Sequence, residues 1–267
     1  MIHIATVHWN TARWLALQQA FLRRHLPEEF RIYAWLNNIP EAPIDGLYYV
    51  CREPVDQHGV KLNLLADMAI ASATGADDPL IFLDGDAFPV ASLKPLIDGP
   101  LPTRKLIAVQ RLENSGDIQP HPCFCITTTG FWKEIGGDWK PGHQWLNRDG
   151  KLVSDEGGNL LKQLTDRRVD WLPLLRTNKV NLHPLFFGVY GEVIYHHGAG
   201  FRKGECRADD AKIVLPPAAQ FLSKLVPGYK RHAWRKLRRR VVATNDALIE
   251  EVFQSIQENL QFYTQFD

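Results

Sequence analysis

The chain has 267 residues, 45% hydrophobic and 23% charged, which allows one large α/β domain with an extension and excludes dominant disorder. Its 31 Lys and Arg nearly balance 30 Asp and Glu, and the formal net charge of +1 gives no global attraction for nucleic acid. Cys51, Cys123, Cys125 and Cys206 contain only a Cys-x-Cys pair, neither a zinc knuckle nor a thioredoxin pair, so reduced, structural thiols are expected.

Residues Ile2 to Val7 read as a first strand leading into His8, Trp9 and Asn10. A helix over residues 11–25 follows, with Leu15, Leu17, Ala20, Phe21 and Leu22 on its apolar face and Pro27 as its stop. Arg31 to Leu36 and Leu47 to Val50 are the next strands, Lys61 to Ala73 a helix, and Leu80 to Asp84 a short buried strand. Strands alternating with helices predict an α/β fold with a mainly parallel sheet covered on both faces.

The middle of the chain is less regular, with strands expected at Lys105 to Gln110 and Phe124 to Thr128. A helix from Asp155 to Arg167 opens on acidic residues that suit its dipole. Gly188 to Tyr195 reads as a late strand, and Asn245 to Phe262 as an amphipathic terminal helix. The organisation expected is one domain over residues 1–215 and a helical extension over 216–267. The first residues lack a charged segment and a long apolar stretch, and no apolar run approaches the roughly 20 residues of a membrane span. A cytoplasmic location is the resulting expectation.

The most informative segment is Leu80-Ile81-Phe82-Leu83-Asp84-Gly85-Asp86, an apolar run ending in two carboxylates separated by one glycine. Burying aspartates is costly unless a cation or partner neutralises them. Oxygen ligands on one short turn suit Mg²⁺ or Mn²⁺, and the end of a strand in an open α/β sheet is where ligands bind. The plain alternative is a polar turn without metal. Haloacid-dehalogenase-like phosphatases also resemble this pattern, but they carry it near the N-terminus as D-x-D-x-T/V, whereas Phe88 follows Ala87 here.

His196 and His197 end the late strand, and an imidazole there suits Mn²⁺ better than Mg²⁺. Arg202 and Lys203 come next, placed to meet phosphate. Asp155 and Glu156 offer a base for an attacking hydroxyl, or simply helix-start charge behind a Ser154 cap. Lys61 and Asn63 could face a nucleotide phosphate or solvent, and Thr6, His8 and Trp9 could hold base and ribose, with Trp9 equally a core residue. The run Lys230 to Arg240, with Trp234 inside it, fits either a solvated helix face or contact with an anionic bilayer, and is poor in the aromatics that nucleic-acid binding favours.

These features together resemble the GT-A class of nucleotide-sugar glycosyltransferases. The resemblance rests on Ile4 to Trp9, Phe82 to Asp86 and the late histidine loop. It implies a GT-A fold in which Asp84 and Asp86 bridge Mn²⁺ or Mg²⁺ to the diphosphate of a nucleoside-diphosphate sugar. His197-Gly198-Ala199-Gly200-Phe201-Arg202-Lys203 looks like the H-x-x-G-x-x-K signature of glycogenin-like, family 8 enzymes, which makes His197 a metal ligand and Lys203 a diphosphate contact. That signature continues with Pro-Trp, where this chain has Gly204-Glu205, while Asp155-Glu156 looks like the acidic pair of inverting family 2 enzymes. The resemblance also implies an acceptor pocket in the middle segment, around Phe131, Trp132, Trp139 and Trp145 with Asp138, taking a glycan, lipid or other hydroxyl. A non-catalytic nucleotide-sugar or glycan-binding protein is the second reading.

Overall fold

A computed structural model describes residues 1–26, 28–201 and 217–267. In chain order these form β1 (Ile2–Trp9), α1 (Leu15–His25), β2 (Phe30–Asn37), β3 (Tyr49–Cys51), α2 (His58–Ala71), β4 (Pro79–Asp84) and β5 (Ala87–Pro89). There follow α3 (Lys94–Asp98), α4 (Leu101–Arg104), β6 (Ile107–Val109), β7 (His121–Thr128), α5 (Thr129–Ile135), β8 (Trp145–Leu146), β9 (Leu152–Val153) and α6 (Gly158–Asp166). The last elements are β10 (Leu172–Leu174), β11 (Gly188–Tyr190), β12 (Ile194–His196), α7 (Pro217–Leu225) and α8 (Tyr229–Glu258), then a 3-10 turn over Phe262–Phe266.

Seven strands make the central sheet, in the order β10-β6-β7-β4-β1-β2-β3. All neighbours pair in parallel except β7, which runs antiparallel to both β4 and β6. The expected mainly parallel sheet is therefore present with one reversed strand. Its central strands are buried on both faces, which is why β1 and β4 read as apolar runs rather than alternations. The strand period of two separates the core: Ile4, Ile81 and Leu83 pack with Leu15 and Leu22 of α1, while Ala5, Val7 and Phe82 pack with Leu62 and Leu65 of α2.

A second, antiparallel sheet of order β11-β12-β5 starts directly after the D-G-D turn. The single late strand expected at Gly188 to Tyr195 is instead a hairpin, because Gly191 and Glu192 both adopt positive φ, of 55° and 61°. Those residues reverse the chain within the three-residue connection between Tyr190 and Ile194, hidden in the sequence by the apolar residues around it.

The terminal helix is also longer than expected. α8 runs 30 residues, and Asn245 to Glu258 is only its second half. Ile249, Val252, Phe253 and Ile256 there join Trp14, Phe21, Phe88, Phe186 and Phe187 in a third apolar cluster. No residue of α8 before Asn245 is buried. Among the described residues no helix is long and apolar enough to cross a membrane.

Candidate metal centre

The D-G-D turn is held by its backbone, so its carboxylates are not spent on holding the turn itself. Gly85 N–H donates to the Val7 carbonyl at 3.0 Å. A Cβ on Gly85 would meet Phe201, His8 Nδ1 and Val7 O within 2.7 Å, so only glycine fits there. From α1, the buried Gln18 amide donates to the carbonyls of Asp84 and Ala87, both at 2.8 Å. Its oxygen accepts from Thr6 Oγ1 at 3.0 Å and lies 3.3 Å from His8 Nε2.

Strand β5 then pairs with β12, with Ala87 opposite His196. Successive side chains of a strand point to opposite faces. His196 Nε2 therefore lies 3.6 Å from Asp84 Oδ2 and 3.6 Å from Asp86 Oδ1. Ligand atoms of Asp84, Asp86 and His196 all fall within 4.8 Å of one another, the spacing a single ion can bridge. Asp86 Oδ2 accepts from Gly200 N–H at 2.8 Å, which turns Oδ1 toward the histidine. A Cβ on Gly200 would lie 2.5 Å from Asp86 Cβ and from Trp14 Nε1, so a larger residue would break this contact.

His197, the ligand expected from the family 8 signature, points the other way. Its ring packs 4.6 Å from that of Trp14 and 5.0 Å from that of Phe187, and Nδ1 is 2.9 Å from the Tyr195 hydroxyl. Strand alternation at β12 thus sets His196, and not His197, beside the two carboxylates.

Two further imidazoles surround the carboxylates. His58, in the first turn of α2, has Nε2 2.9 Å from Asp84 Oδ1, and the His121 ring lies 5.9 Å from that of His196. Burial pushes Asp84 up, but His58, His196 and His121 outweigh it and hold the carboxyl well below its ordinary range. Burial pulls His58 down, and Asp84 with Glu156 reverses the sign, so His58 ends raised. His121 is driven well below its ordinary value by burial and then by Arg111. His58 would, when protonated, place a positive charge 2.9 Å from Asp84.

The centre opens into a cleft of about 800 Å³. Trp9, Asn37 and Asn38 line it at the ends of β1 and β2, Lys61 lines it from α2, and Arg111, Asn114, Asp155 and Glu156 complete the rim. Lys61 is 4% exposed, and burial lowers its pKa against the pull of Asp56 and Glu156. Glu156 is engaged elsewhere: its Oε1 accepts from Gly59 N–H at 3.2 Å and caps the α2 N-terminus, with burial raising its pKa. This distant cap helps α2 begin at His58, ahead of the expected Lys61. Asp155 is exposed and faces the cleft.

Several expected contacts lie away from the cleft. Thr6 and His8 are buried beneath the turn and bonded to Gln18. Asn63 binds Asp138 at 2.6 Å and the Trp139 N–H at 3.0 Å, and Asp138 also accepts from Asn159 at 2.8 Å. These side chains staple α2 to the 138–159 segment. Trp132 and Trp139 are 3% and 0% exposed and stack on each other against Phe82, in the core and away from the cleft lining. Arg202 and Lys203 lie outside the described residues.

Gln18, His58, Arg111 and His121 are site residues that the sequence reading omits. Gln18 carried a signal: it stands between Leu15 and Leu22 at i+3 and i+7, a polar residue on a core-facing stripe.

No protein-family model matches the chain, and no curated protein matches it in sequence. Among solved structures it is similar to the galactosyltransferase LgtC in complex with donor and acceptor sugar analogs, at 13% identity and a TM-score of 0.37, covering 65% of this chain and 73% of that one. It is similar to the glycosyltransferase GlyE of Streptococcus pneumoniae TIGR4, at 13% identity and a TM-score of 0.43, covering 65% and 45%. It is also similar to the mannosyltransferase PcManGT from Pyrobaculum calidifontis, solved with GDP-Man and Mn²⁺, at 11% identity and a TM-score of 0.39, covering 64% and 53%. The chain spans about half the length of GlyE and of PcManGT. All three are glycosyltransferases.

Proposed function

We propose that this protein is a metal-dependent glycosyltransferase that moves a sugar from a nucleoside-diphosphate sugar to an acceptor hydroxyl. The observation that carries this reading is the convergence of Asp84, Asp86 and His196 within 4.8 Å at the strand end that opens the cleft. Two carboxylates and an imidazole form a mixed oxygen and nitrogen set that fits Mn²⁺ better than Mg²⁺. When bound there, the ion would neutralise charge developing on the leaving diphosphate.

The chain's own groups take the remaining tasks. Lys61 and Arg111 set positive charge on the cleft wall, where phosphate oxygens would be received as charge-assisted acceptors. Lys203, in the segment following the histidine loop, is assigned the same role. Trp9, Asn37 and Asn38 at the ends of β1 and β2 offer an aromatic face and two amides for base and ribose. Asp155, exposed on the cleft rim, would take the proton of an acceptor hydroxyl, and Glu156 would hold it by fixing the adjoining backbone against α2.

A phosphatase would need one aspartate free to attack phosphorus. Here Asp84 faces His58 at 2.9 Å, and Asp86 is bound by the Gly200 N–H, which supports ligation over attack. The test is release of nucleoside diphosphate from a panel of sugar nucleotides with and without Mn²⁺. Metal-dependent release from at least one donor, absent in Asp86→Ala, is expected. Phosphate release from simple phosphate esters would favour the phosphatase, and donor binding without turnover would favour the binding module.

A further inference from the structure

We infer that the hairpin of α7 and the first half of α8 docks on an anionic lipid bilayer. Eight of the chain's Lys and Arg fall between residues 217 and 244, a stretch with no Asp or Glu, so the remainder of the chain is net acidic. All eight cations are exposed. Apolar side chains are exposed beside them: Phe221 at 64%, Leu225 at 62%, Val226 at 47% and Trp234 at 41%.

Neither feature alone selects a lipid surface. Cations without apolar neighbours fit any polyanion, and apolar residues without charge fit any greasy partner. Together they match an interfacial helix, whose apolar residues enter the headgroup boundary while Lys and Arg reach back to the phosphates. The charge division strengthens the match, because an anionic surface attracts the hairpin and repels the rest of the molecule.

The hairpin is also anchored mechanically. The same helix α8 continues into the third apolar cluster through Ile249, Val252, Phe253 and Ile256. Phe253 packs 4.7 Å from Trp14, whose Nε1–H donates to Gly200 O at 3.0 Å in the loop that orients Asp86. Docking would therefore hold the metal centre at a fixed relation to the bilayer.

The experiment is flotation of the full chain with vesicles of phosphatidylcholine alone or with about one-third phosphatidylglycerol, at about 0.1 M and about 1 M salt. Binding to the anionic vesicles at low salt is expected, falling at high salt. The triple variant Arg235→Glu/Arg238→Glu/Arg239→Glu should lower the bound-to-free ratio more than about tenfold. Phe221→Ser/Leu225→Ser should also lower it, with an unchanged circular dichroism spectrum because both residues are on the surface. Equal binding to neutral vesicles, or none to either, would overturn the inference. So would capture by single-stranded RNA without vesicle binding, or a dimer in sedimentation that depends on Phe221 and Leu225 and does not float.

Discussion

Ala87 and His196 stand opposite each other in the antiparallel pairing of β5 with β12, and this register decides which histidine reaches the two carboxylates. A slip of one residue would send His196 into the core and bring its neighbour out. His196→Ala should weaken Mn²⁺ binding by more than about tenfold. His197→Ala should leave Mn²⁺ affinity nearly unchanged and cost about 1–3 kcal/mol of stability, since it strands the buried Tyr195 hydroxyl. Mn²⁺ paramagnetic resonance and urea unfolding on both variants separate these outcomes, and the reverse pattern would return the ligand role to His197.

Gln18 supplies the backbone support for the same turn. Gln18→Ala leaves the carbonyls of Asp84 and Ala87 without their 2.8 Å donor and removes the partner of Thr6. A loss of about 2–4 kcal/mol is expected, above an ordinary surface substitution. Metal affinity should fall with it, because the turn no longer fixes its side chains. Unchanged unfolding and unchanged affinity would show that the turn holds itself.

Acid sensitivity should carry the mark of His8. Burial pulls its pKa from 6.5 to about 4, against partial relief from Gln18 and Asp84. The unfolded chain takes up this proton from about pH 6.5 downward, and the folded chain refuses it until about pH 4. Between those values the unfolded state holds more protons, so stability falls as pH falls and is restored above the upper limit. The effect of His8 is about 3 kcal/mol in full. His8→Asn should flatten the urea midpoint against pH in that window, with a residual slope from His121 and His197, which are shifted the same way. Superimposable curves for variant and wild type would contradict this.

Trp139→Ala should cost about 3–5 kcal/mol, as for other large core aromatics. The conservative Trp139→Phe should leave the acceptor KM unchanged. A raised acceptor KM in Trp139→Phe, with stability intact, would place this residue back in the acceptor pocket.

The sequence made the buried strands legible because both faces of β1 and β4 are covered, so their apolar runs are unbroken. Asp84 and Asp86 were legible for the complementary reason, being charges set directly at the end of a buried apolar run. The β5–β12 pairing was not, since each strand is three residues long and their partners lie more than 100 residues apart. The burial of Trp132 and Trp139 was not legible because an aromatic suits a sugar pocket and a core equally, and only packing against Phe82 tells them apart. His58 was passed over because its helix start is fixed by Glu156, a residue 97 positions away from the Gly59 it caps.

The central claim is that Asp84, Asp86 and His196 hold a divalent ion that in turn holds a sugar nucleotide. Isothermal titration of sugar nucleotides into the protein, with Mn²⁺ or with a chelator, tests it most directly. Binding that requires Mn²⁺ in the wild type and is lost in Asp86→Ala is the predicted result. Binding of equal strength with the chelator, or in Asp86→Ala, would contradict it.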